Sequence, residues 1–487
     1  MRADGRFMSY DSAVASMFAL GHELAQTPSY KFDLAHMRTL LGGLEHPERR
    51  FPSVLIAGTN GKGSTAATLA SILRASGLRT GLYTSPHLLR LNERIRVNGQ
   101  EISDDEFAGL HGEVDRTASR LVEEGALPWH PSFFEMMTAI AFAHFACRQV
   151  EIAVLEVGMG GRLDATNVVE PRVSVIADVS LDHQKFLGNT VTEIAREKVG
   201  IIRPGGVVVT LPQQPEANDV IGNTILDLGA RGVSAVPFVP PVSPASREYR
   251  VPGAEPLIAS TKHPVPGTEK TSLAAELAAS PENARRRFFY RYPLSVMGKE
   301  ILVETQLVGR HQLRNIALAI ATAEELAQQG FAGITPQTIE SGIRETSWRG
   351  RFQVIPPSDR WPEIVLDVAH NPAGAWALRS ALSEQYEDRP LIFVFGAMRD
   401  KAISEMTEIL FPLAARVIAT RAENPRSASP EEIRQAGQRT HTEIEAVAEV
   451  ADALERASIA CGPKGVVVVT GSIYLVGEAM RVLGALV

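Results

Sequence analysis

The chain has 487 residues, of which 45% are hydrophobic and 22% are charged, and its formal net charge is −7. This length exceeds one ordinary hydrophobic core, so we expect two domains. The acidic balance excludes general nucleic-acid binding, and an anionic ligand must be held by local positive charge.

Cysteine usage and hydropathy indicate a cytoplasmic protein without a membrane partner. Two cysteines, Cys147 and Cys461, lie far apart in the sequence, which predicts no disulfide framework and a reducing compartment. Residues 1–10 lack the apolar region of a signal peptide. No apolar run approaches the ~18 residues that a membrane-spanning helix needs.

Short apolar runs alternate with helical patterns in the first part of the chain. The predicted strands are Val54–Ala57, Thr80–Thr84, Ile152–Val157, Val173–Val179 and Gly206–Thr210. Helical patterns such as Ala66–Ser76 and Phe134–Arg148 separate them. Several of these strands are apolar on both faces, which is typical of a parallel sheet covered by helices on each side.

The first predicted strand runs into a glycine-rich turn, G-T-N-G-K-G-S-T at residues 58–65. Three glycines let backbone N–H groups approach a polyphosphate, and the following helix N-terminus adds partial positive charge. Lys62 would reach the outer phosphates, and Ser64 or Thr65 would face Mg²⁺. Only two residues separate Gly58 from Gly61, whereas the common P-loop has four. A plain connecting turn is the alternative, but three glycines are costly for folding unless the backbone must approach a ligand.

Three further polar residues follow predicted strands or lie in a helix. Glu156 lies near the carboxyl end of its strand, which is the edge of a parallel sheet where ligands bind. His183 follows the next predicted strand. A lone histidine in such a position is more often structural than a metal ligand, and Mg²⁺ prefers oxygen ligands. The nearby phosphate loop and Glu156 nevertheless favour a role for His183 in binding Mg²⁺. Lys198 lies in the helical stretch 192–199, where the local pattern favours a solvated charge.

A second, smaller α/β unit is predicted from about Phe352 onward, with a hinge near residues 344–352. Its predicted strands are Ile364–Val368, Leu391–Phe395, Arg416–Thr420 and Val466–Thr470. Asp367, the segment 396–401 and Ser472 follow three of these strands. Small, polar and charged residues at strand ends predict a second ligand-binding crevice, with ordinary turn chemistry as the alternative.

A proline-rich segment separates the two units. Residues 237–266 contain eight prolines, which exclude a helix or a central strand. We expect a surface insertion over about 215–290. The run at 285–292 interleaves arginines with aromatic residues, as in surfaces that stack on nucleic acid. A half-exposed strand is the favoured interpretation, because the chain is acidic overall.

The motifs occur in one order along nearly the whole chain: G-T-N-G-K-G-S-T (58–65), T-S-P-H-L (84–88), S-F-F-E (132–135), E-V-G-M-G-G-R-L-D-A-T-N (156–167), L-D-H (181–183), R-E-K-V-G-I (196–201), G-R-H-Q-L-R-N (309–315), W-R-G-R-F-Q (348–353), D-V-A-H-N-P (367–372), F-G-A-M-R-D-K (395–401) and T-G-S-I-Y-L-V-G-E (470–478). Together they resemble the folylpolyglutamate synthase/dihydrofolate synthase family of the Mur ligase superfamily. T-S-P-H-L and D-A-T-N favour this branch over ligases that act on cell-wall nucleotide precursors.

The resemblance implies a fold and a set of site residues. It implies an N-terminal P-loop-type parallel-sheet ATPase domain over 1–345 and a smaller Rossmann-like glutamate-ligase domain over 352–487. The implied ATP contacts are Gly58, Thr59, Asn60, Gly61, Lys62, Gly63, Ser64, Thr65, Asn315, Arg351 and Asp367. The implied ligands of two Mg²⁺ ions are Ser85, Glu156, His183 and a carbamylated Lys198. The implied substrate contacts are Ser132, Phe133, Phe134, Glu135, Leu163, Asp164 and Ala165 for the pterin, and His370 and Ser472 for glutamate.

The resemblance also implies an activity. A member of this family adds L-glutamate to dihydropteroate, to the γ-carboxylate of reduced folates, or to both, through an acyl phosphate formed from ATP. Catalysis would rest on Lys62, Glu156, His183 and Lys198. The sequence leaves open whether one or both activities are present, with a monofunctional folylpolyglutamate synthase as the alternative. The alternative function is a nucleotide-binding switch without ligase activity. It is disfavoured because a switch would not need Glu156, His183 or a second ligand-binding domain. We expect a monomer with small-molecule substrates only.

Overall fold

The structure is a computed structural model that describes residues 8–21, 33–241 and 290–484. Its first sheet has eight strands: β1 (Ser53–Ala57), β2 (Thr80–Tyr83), β3 (Ile95–Val97), β4 (Gln100–Glu101), β5 (Ile152–Glu156), β6 (Val173–Ile176), β7 (Val207–Thr210) and β8 (Arg231–Ser234). Their order is β4-β3-β2-β5-β1-β6-β7-β8. All pairs are parallel except those that β3 makes with β2 and β4.

Helices cover both faces of this sheet, as the apolar strands predict. They are α1 (Tyr10–Ala19), α2 (Leu34–Gly43), α3 (Lys62–Ala75), α4 (Asp104–Glu123), α5 (Phe133–Cys147), α6 (Gln184–Leu187), α7 (Val191–Val199), α8 (Pro215–Asp227), α9 (Arg310–Gln328) and α10 (Pro336–Glu345). Side chains alternate along β1, so Val54 and Ile56 pack on the side of α3, α9 and α10. Leu55 and Ala57 pack on the opposite side, with α1, α2, α4, α5 and α7.

The expected insertion over 215–290 is wrong at its N-terminal end. Residues 215–227 form α8, whose first residue is a proline, a position where proline fits a helix. β8 then pairs in parallel with β7 as the edge of the sheet. The prolines that define the segment begin only at Pro237, so the preceding residues follow the βα pattern of the domain. The rest of the predicted insertion, 242–289, lies outside the described residues.

A β-hairpin follows, formed by β9 (Tyr290–Val296) and β10 (Lys299–Thr305). Alternate residues of β9 are buried and exposed, with Tyr290 and Tyr292 buried and Arg291 exposed. The half-exposed strand predicted here is therefore confirmed for residues 290–292.

The second sheet has six strands: β11 (Gln353–Ile355), β12 (Ile364–Leu366), β13 (Leu391–Phe395), β14 (Ala414–Ala419), β15 (Ile444–Ala446) and β16 (Val466–Thr470). Their order is β11-β12-β16-β13-β14-β15, and only β11 is antiparallel to its neighbour. The accompanying helices are α11 (Pro372–Gln385), α12 (Ile403–Leu410), α13 (Pro430–Ala436), α14 (Val450–Cys461) and α15 (Ile473–Leu483). The predicted two-domain α/β fold is confirmed.

The backbone passes from the first unit to the second through residues 346–352, between α10 and β11. Within the described ranges, no helix is long and apolar enough to cross a membrane.

Candidate active site

A cavity of about 950 Å³ lies between the two units and contains almost all the predicted site residues. From the first unit it is lined by Gly58, Thr59, Asn60, Gly61, Lys62, Gly63, Ser64, Ser85, Ser132, Phe133, Phe134, Glu135, Glu156, Leu163, Asp164, Ala165, His183, Lys198 and Asn315. From the hinge and the second unit it is lined by Arg351, Asp367, His370 and Ser472. Thr65 does not line the cavity.

The phosphate loop connects β1 to α3, and its backbone is shaped by glycine. Gly61 has φ +83°, and a Cβ atom there would lie 2.2 Å from Oδ1 of Asn315 on α9. Lys62 is the first residue of α3, and its Nζ donates to the carbonyl oxygens of Gly58 at 3.0 Å and Thr59 at 3.1 Å. Ser64 lines the cavity and Thr65 does not, although both residues are buried. Of the two residues proposed from the sequence to face Mg²⁺, Ser64 is the one that lines the cavity.

Glu156 ends β5 directly beside this loop. Its Oε2 accepts a hydrogen bond from the backbone N–H of Ser85 at 3.1 Å. A Cβ atom on Gly63 would lie 3.3 Å from the same oxygen, so the carboxylate touches the loop. Burial raises the pKa of Glu156, and the charge of Lys62 opposes that shift. A buried carboxylate next to a hydroxyl and a phosphate-binding loop is a chemically suitable half-site for Mg²⁺.

The remaining metal ligands would have to come from outside the protein. No group of three or more histidine, cysteine, aspartate and glutamate side chains is arranged for a metal in the described part of the chain. Magnesium usually keeps several waters and binds substrate phosphates as well as one or two carboxylates. The residues present therefore fit a magnesium–nucleotide complex better than a metal held by protein alone.

Lys198 lies inside the site, which contradicts the solvated charge that its local sequence favours. α7 directs the side chain inward, where only 3% of the residue is exposed. Its Nζ donates to the carbonyl oxygen of Gly58 at 2.9 Å. Burial and the nearby charge of Lys62 lower the pKa of Lys198 to about 7. A substantial fraction of this amine is thus neutral near pH 7.

His183 precedes α6 in a left-handed conformation with φ +50°. Its Nε2 lies 3.8 Å from Oδ2 of Asp182. Burial lowers the pKa of His183 to about 3, so the imidazole is neutral and able to donate a lone pair to a metal.

Asp182 joins the two units, a role that the sequence did not reveal. Its Oδ1 accepts from Nζ of Lys401 at 2.5 Å, and its Oδ2 accepts from Nδ2 of Asn371 at 3.2 Å. The same amide nitrogen of Asn371 also donates to Oδ1 of Asn60 in the phosphate loop at 3.0 Å. The L-D-H and F-G-A-M-R-D-K motifs contained Asp182 and Lys401, but nothing in their spacing indicated that they pair.

Asp367 and Arg351 lie where the hinge meets the second sheet. The carboxylate of Asp367 accepts from the backbone N–H groups of Phe352 at 2.8 Å and Ala369 at 2.9 Å. Burial raises the pKa of Asp367, and the charge of Arg351 opposes this. On the opposite wall, Asn315 donates to Oε1 of Gln312 at 3.0 Å, which fixes its amide beside Gly61.

The two residues expected near glutamate lie at the ends of strands in the second unit. Nδ1 of His370 lies 2.9 Å from the carbonyl oxygen of Val368, and burial lowers the pKa of His370 to about 4. Ser472 caps α15, and its Oγ accepts from the backbone N–H of Tyr474 at 3.2 Å.

The predicted pterin surface is only partly available to a ligand. Ser132 and Glu135 form a capping box at the start of α5, and Glu135 also pairs with Nδ1 of His36 at 2.8 Å. Phe133 is buried beneath the guanidinium of Arg94. By contrast, Phe134 is half-buried and lies against Gly158, where a Cβ atom would meet its ring at 2.5 Å.

The second segment of the predicted pterin surface, residues 163–165, also contains both buried residues and one partly exposed residue. Asp164 caps a short 3₁₀ turn through Thr166 and accepts from the N–H of Met159, and Ala165 is buried. Leu163 is half-buried. Phe134 and Leu163 are therefore the members of the set with apolar surface to offer, and the others support the wall.

Comparisons with known proteins connect this cavity to a family. The family described as "Mur ligase, glutamate ligase domain" matches residues 350–473. A "Dihydrofolate synthase/folylpolyglutamate synthase" of Bacillus subtilis is 31% identical over 451 residues, which cover 92% of this chain and 94% of that protein. A "Folylpolyglutamate synthase" of Lacticaseibacillus casei is 33% identical, covering 98% of this chain and 99% of that protein.

A solved structure shows the same overall architecture. The Mycobacterium tuberculosis folylpolyglutamate synthase complexed with ADP superimposes with a TM-score of 0.79 at 27% sequence identity. The match covers 97% of this chain and 99% of that one.

Proposed function

Because the chain belongs to the folylpolyglutamate synthase/dihydrofolate synthase family, we propose that it is an ATP-dependent ligase that forms an amide bond between L-glutamate and a pteroyl substrate. The observation that carries this proposal is the single cavity in which the phosphate loop of one unit faces His370 and Ser472 of the other. A ligase of this kind must hold ATP and an amino acid against the same carboxyl group.

The first step activates the carboxylate of the substrate. Its oxygen attacks the γ-phosphorus of ATP, and an acyl phosphate and ADP result. Two anions must approach each other, so the reaction needs positive charge at the transferred phosphoryl group. Lys62 supplies this charge on a loop whose backbone N–H groups and helix N-terminus also favour an anion.

Magnesium fits the same end of the cavity. We propose that Ser85 and Glu156 hold one Mg²⁺ and that His183 and a carbamylated Lys198 hold a second. Bound there, the ions would supply charge neutralisation for the phosphoryl transfer.

The second step forms the amide. The amine of L-glutamate attacks the acyl carbon, a tetrahedral intermediate forms, and phosphate leaves. An acyl phosphate hydrolyses when water reaches it, so closure of one unit over the other protects it. The bonds that Asp182 accepts from Lys401 and Asn371 support such a closed arrangement.

For the acceptor, we propose both dihydropteroate and reduced folates. The apolar sides of Phe134 and Leu163 suit a planar pterin ring, which both substrates carry. The B. subtilis relative is named for both activities, whereas the L. casei relative is named only for folylpolyglutamate synthesis. Monofunctional folylpolyglutamate synthesis is therefore the second candidate.

The test offers dihydropteroate and tetrahydrofolate side by side, each with ATP, Mg²⁺ and radiolabelled L-glutamate. We expect dihydrofolate from the first and a diglutamate product from the second, each with one ADP per amide bond. Extension of tetrahydrofolate alone would establish the monofunctional candidate. Turnover of neither substrate would refute the proposed function.

A further inference from the structure

We propose that Arg96, Trp348 and Arg349 form a separate anion subsite, which receives the orthophosphate released when the amide bond forms. The inference rests on the proposed function, because that reaction is the source of the phosphate. None of the three residues was assigned to the site by the sequence analysis, and none of them lines the active-site cavity.

The subsite is a small cavity of about 50 Å³ that adjoins the active-site cavity. The two cavities share Ser85 and Glu156 in their walls, so phosphate formed beside the phosphate loop lies next to the small cavity. Arg96 enters it from β3, and Trp348 and Arg349 enter it from the hinge. The small cavity thus lies behind the predicted metal half-site.

Hydrogen-bond donors without acceptors line this cavity. Nε of Arg96 is buried and has no hydrogen-bond partner, although the same guanidinium donates to Glu101 through Nη2 at 3.2 Å. Nε1 of Trp348 lies beside the phosphate loop, where a Cβ atom on Gly63 would be 3.3 Å from it. Within the described ranges, neither this indole N–H nor the exposed guanidinium of Arg349 has an acceptor. Guanidinium and indole groups only donate, so the partner that they lack is an acceptor.

The guanidinium of Arg96 is held in place but its charge is not balanced. It lies over the ring of Trp348, 5.4 Å from the centroid. Burial lowers the pKa of Arg96, and the charge of Arg349 adds to this shift, whereas the charge of Glu101 opposes it. An anion between the two guanidinium groups would stabilise both of them.

The acidic residues of the cavity wall are already engaged. The carboxylate of Glu93 accepts from the backbone N–H groups of residues 88–90 at 2.8–2.9 Å. The charge of Lys62 acts on Glu156, which ends the neighbouring strand. Three arginines line the cavity against these two carboxylates, since Arg351 is the third. The positive excess favours an anionic ligand.

The size of the cavity favours orthophosphate among the anions of the reaction. A cavity needs roughly 10–15 Å³ to hold one water. About 50 Å³ therefore has room for about three or four oxygen-sized groups, which is comparable with the four oxygens of orthophosphate. A nucleotide or a pteroyl substrate is too large. Guanidinium groups also match the geometry of phosphate oxygens, to which they donate paired hydrogen bonds.

The position of the subsite suits a product. Phosphate leaves the acyl carbon while the nucleotide and the pteroyl product still occupy the active-site cavity. A donor-lined cavity on the far side of Ser85 and Glu156 takes the phosphate away from the new amide without displacing either of them.

The experiment removes one donor that makes no bond in the folded protein. Arg349→Gln changes an exposed side chain, so it should fold as the wild type does. Inorganic phosphate is titrated by calorimetry into the protein saturated with ADP and Mg²⁺. We expect the dissociation constant for phosphate to rise at least fivefold in the variant. The inhibition constant of phosphate in the ligation assay should rise by the same factor, and the KM for ATP should change less than twofold.

Two further variants make the result specific. Trp348→Phe keeps a ring beneath Arg96 and removes the N–H donor, so it should weaken phosphate binding in the same way. Arg360→Gln is the matched control, because Arg360 also lies over a tryptophan ring, 4.8 Å from the centroid of Trp361, but lines neither cavity. Its phosphate affinity should remain within twofold of the wild-type value.

The outcomes separate this inference from the proposed function. A wild-type protein without ATP-dependent glutamate ligation refutes the proposed function itself. An active wild type whose Arg349→Gln and Trp348→Phe variants bind phosphate normally overturns the subsite alone, because the phosphate would then bind in the active-site cavity. An equal loss of affinity in Arg360→Gln would also overturn it, since the effect would then be one of general charge.

Discussion

Lys62 and Lys198 donate hydrogen bonds to the same atom, the carbonyl oxygen of Gly58, at 3.0 and 2.9 Å. Two ammonium groups that share one acceptor repel each other in a buried site. The lysine that gives up its charge more easily is Lys198, whose pKa is lowered to about 7 by burial and by Lys62. Together with burial, this relationship accounts for the lowered pKa of Lys198 beside the phosphate loop.

We predict that Lys198 is carbamylated in the active protein. Carbon dioxide reacts with the neutral amine, which is the major form above the lowered pKa and the minor form below it. Protein equilibrated with ¹³C-bicarbonate at pH 8 should show a carbamate signal by ¹³C NMR that is absent from Lys198→Ala. The signal should weaken as the pH falls through 7.

The same substitution should have a functional effect. Lys198→Ala should be nearly inactive and should regain part of its activity in millimolar acetate or propionate, which replaces the missing carboxylate. Arg196→Ala, an exposed cation on the same helix, is the control and should remain active. A fully active Lys198→Ala variant would show that Lys198 has no catalytic role and is only a helix charge, as its local sequence favours.

Lys62→Ala should lower the rate of ligation by ~100-fold or more, the usual effect of removing one group that stabilises charge in a transition state. Steady-state turnover with saturating substrates measures it. The thermal midpoint should change little, because within the described residues the hydrogen bonds of Lys62 go to carbonyls of its own loop. Lys299→Ala, at the exposed start of β10, is the control that removes one positive charge away from the cavity. Normal turnover by a folded Lys62→Ala protein would show that the phosphate loop does not have the proposed role in catalysis.

Gly61→Ala should abolish ATP binding, and Gly77→Ala should not. Both glycines have nearly the same left-handed backbone, with φ +83° and +82°. Alanine at either position therefore costs about 1–2 kcal/mol of conformational energy. Only at Gly61 would the new Cβ collide with Asn315, since nothing lies within 4 Å of it at Gly77.

Denaturant unfolding and ATP titration by calorimetry separate the two effects. We expect similar backbone costs in both variants, with additional loss of stability and of nucleotide affinity for Gly61→Ala. Equal ATP affinity in the two variants would mean that the contact with Asn315 does not shape the loop.

Glu135→Gln should make stability less dependent on pH between 5.5 and 8.5. Burial alone would lower the pKa of His36, but its hydrogen bond to Glu135 and the charge of that carboxylate raise it above the usual value. A raised folded-state pKa stabilises the protein below the unfolded value near 6.5, and this stabilisation is lost as the pH rises through the folded value. The free energy of unfolding lost in Glu135→Gln should thus be larger at pH 5.5 than at pH 8.5, by on the order of 1 kcal/mol.

A His36→Gln background provides the control, because it contains no imidazole to titrate. In that background Glu135→Gln should have the same effect at both pH values. A pH-independent effect in the wild-type background would show that Glu135 acts only as a helix cap.

The sequence predicted the central strands of both sheets because these are uniformly apolar. Leu391–Phe395 and Val466–Thr470 have the predicted bounds, and β1 and β5 differ by one residue. The sequence analysis did not predict the strands at and near the sheet edges, because they are short and partly polar and periodicity does not mark them. These strands are β3, β4, β8, β11 and β15. Pairing with a neighbour selects such strands, and pairing is a property of the folded chain.

The candidate site, like the sheets, was predicted from the sequence only where the signal is local. Glycine spacing indicated the phosphate loop, and strand ends indicated Glu156 and Asp367, because both signals are local. The inward orientation of Lys198 depends on how α7 packs, and its local sequence suggested the opposite. The bond between Asp182 and Lys401 joins residues from separate units, so no local pattern contains it.

The second unit is one continuous stretch of chain, reached by the described backbone through residues 346–352 alone. The family match over 350–473 begins at this same junction. A genetic exchange with a breakpoint there would transfer the second unit whole, with Asp367, His370 and Ser472, and would leave the phosphate loop on the first unit. Only a few side chains must then be readjusted across the boundary, chiefly those that meet Asp182. The architecture thus allows the unit that carries His370 and Ser472 to be exchanged, in evolution or in a designed chimera, as one continuous segment of the chain.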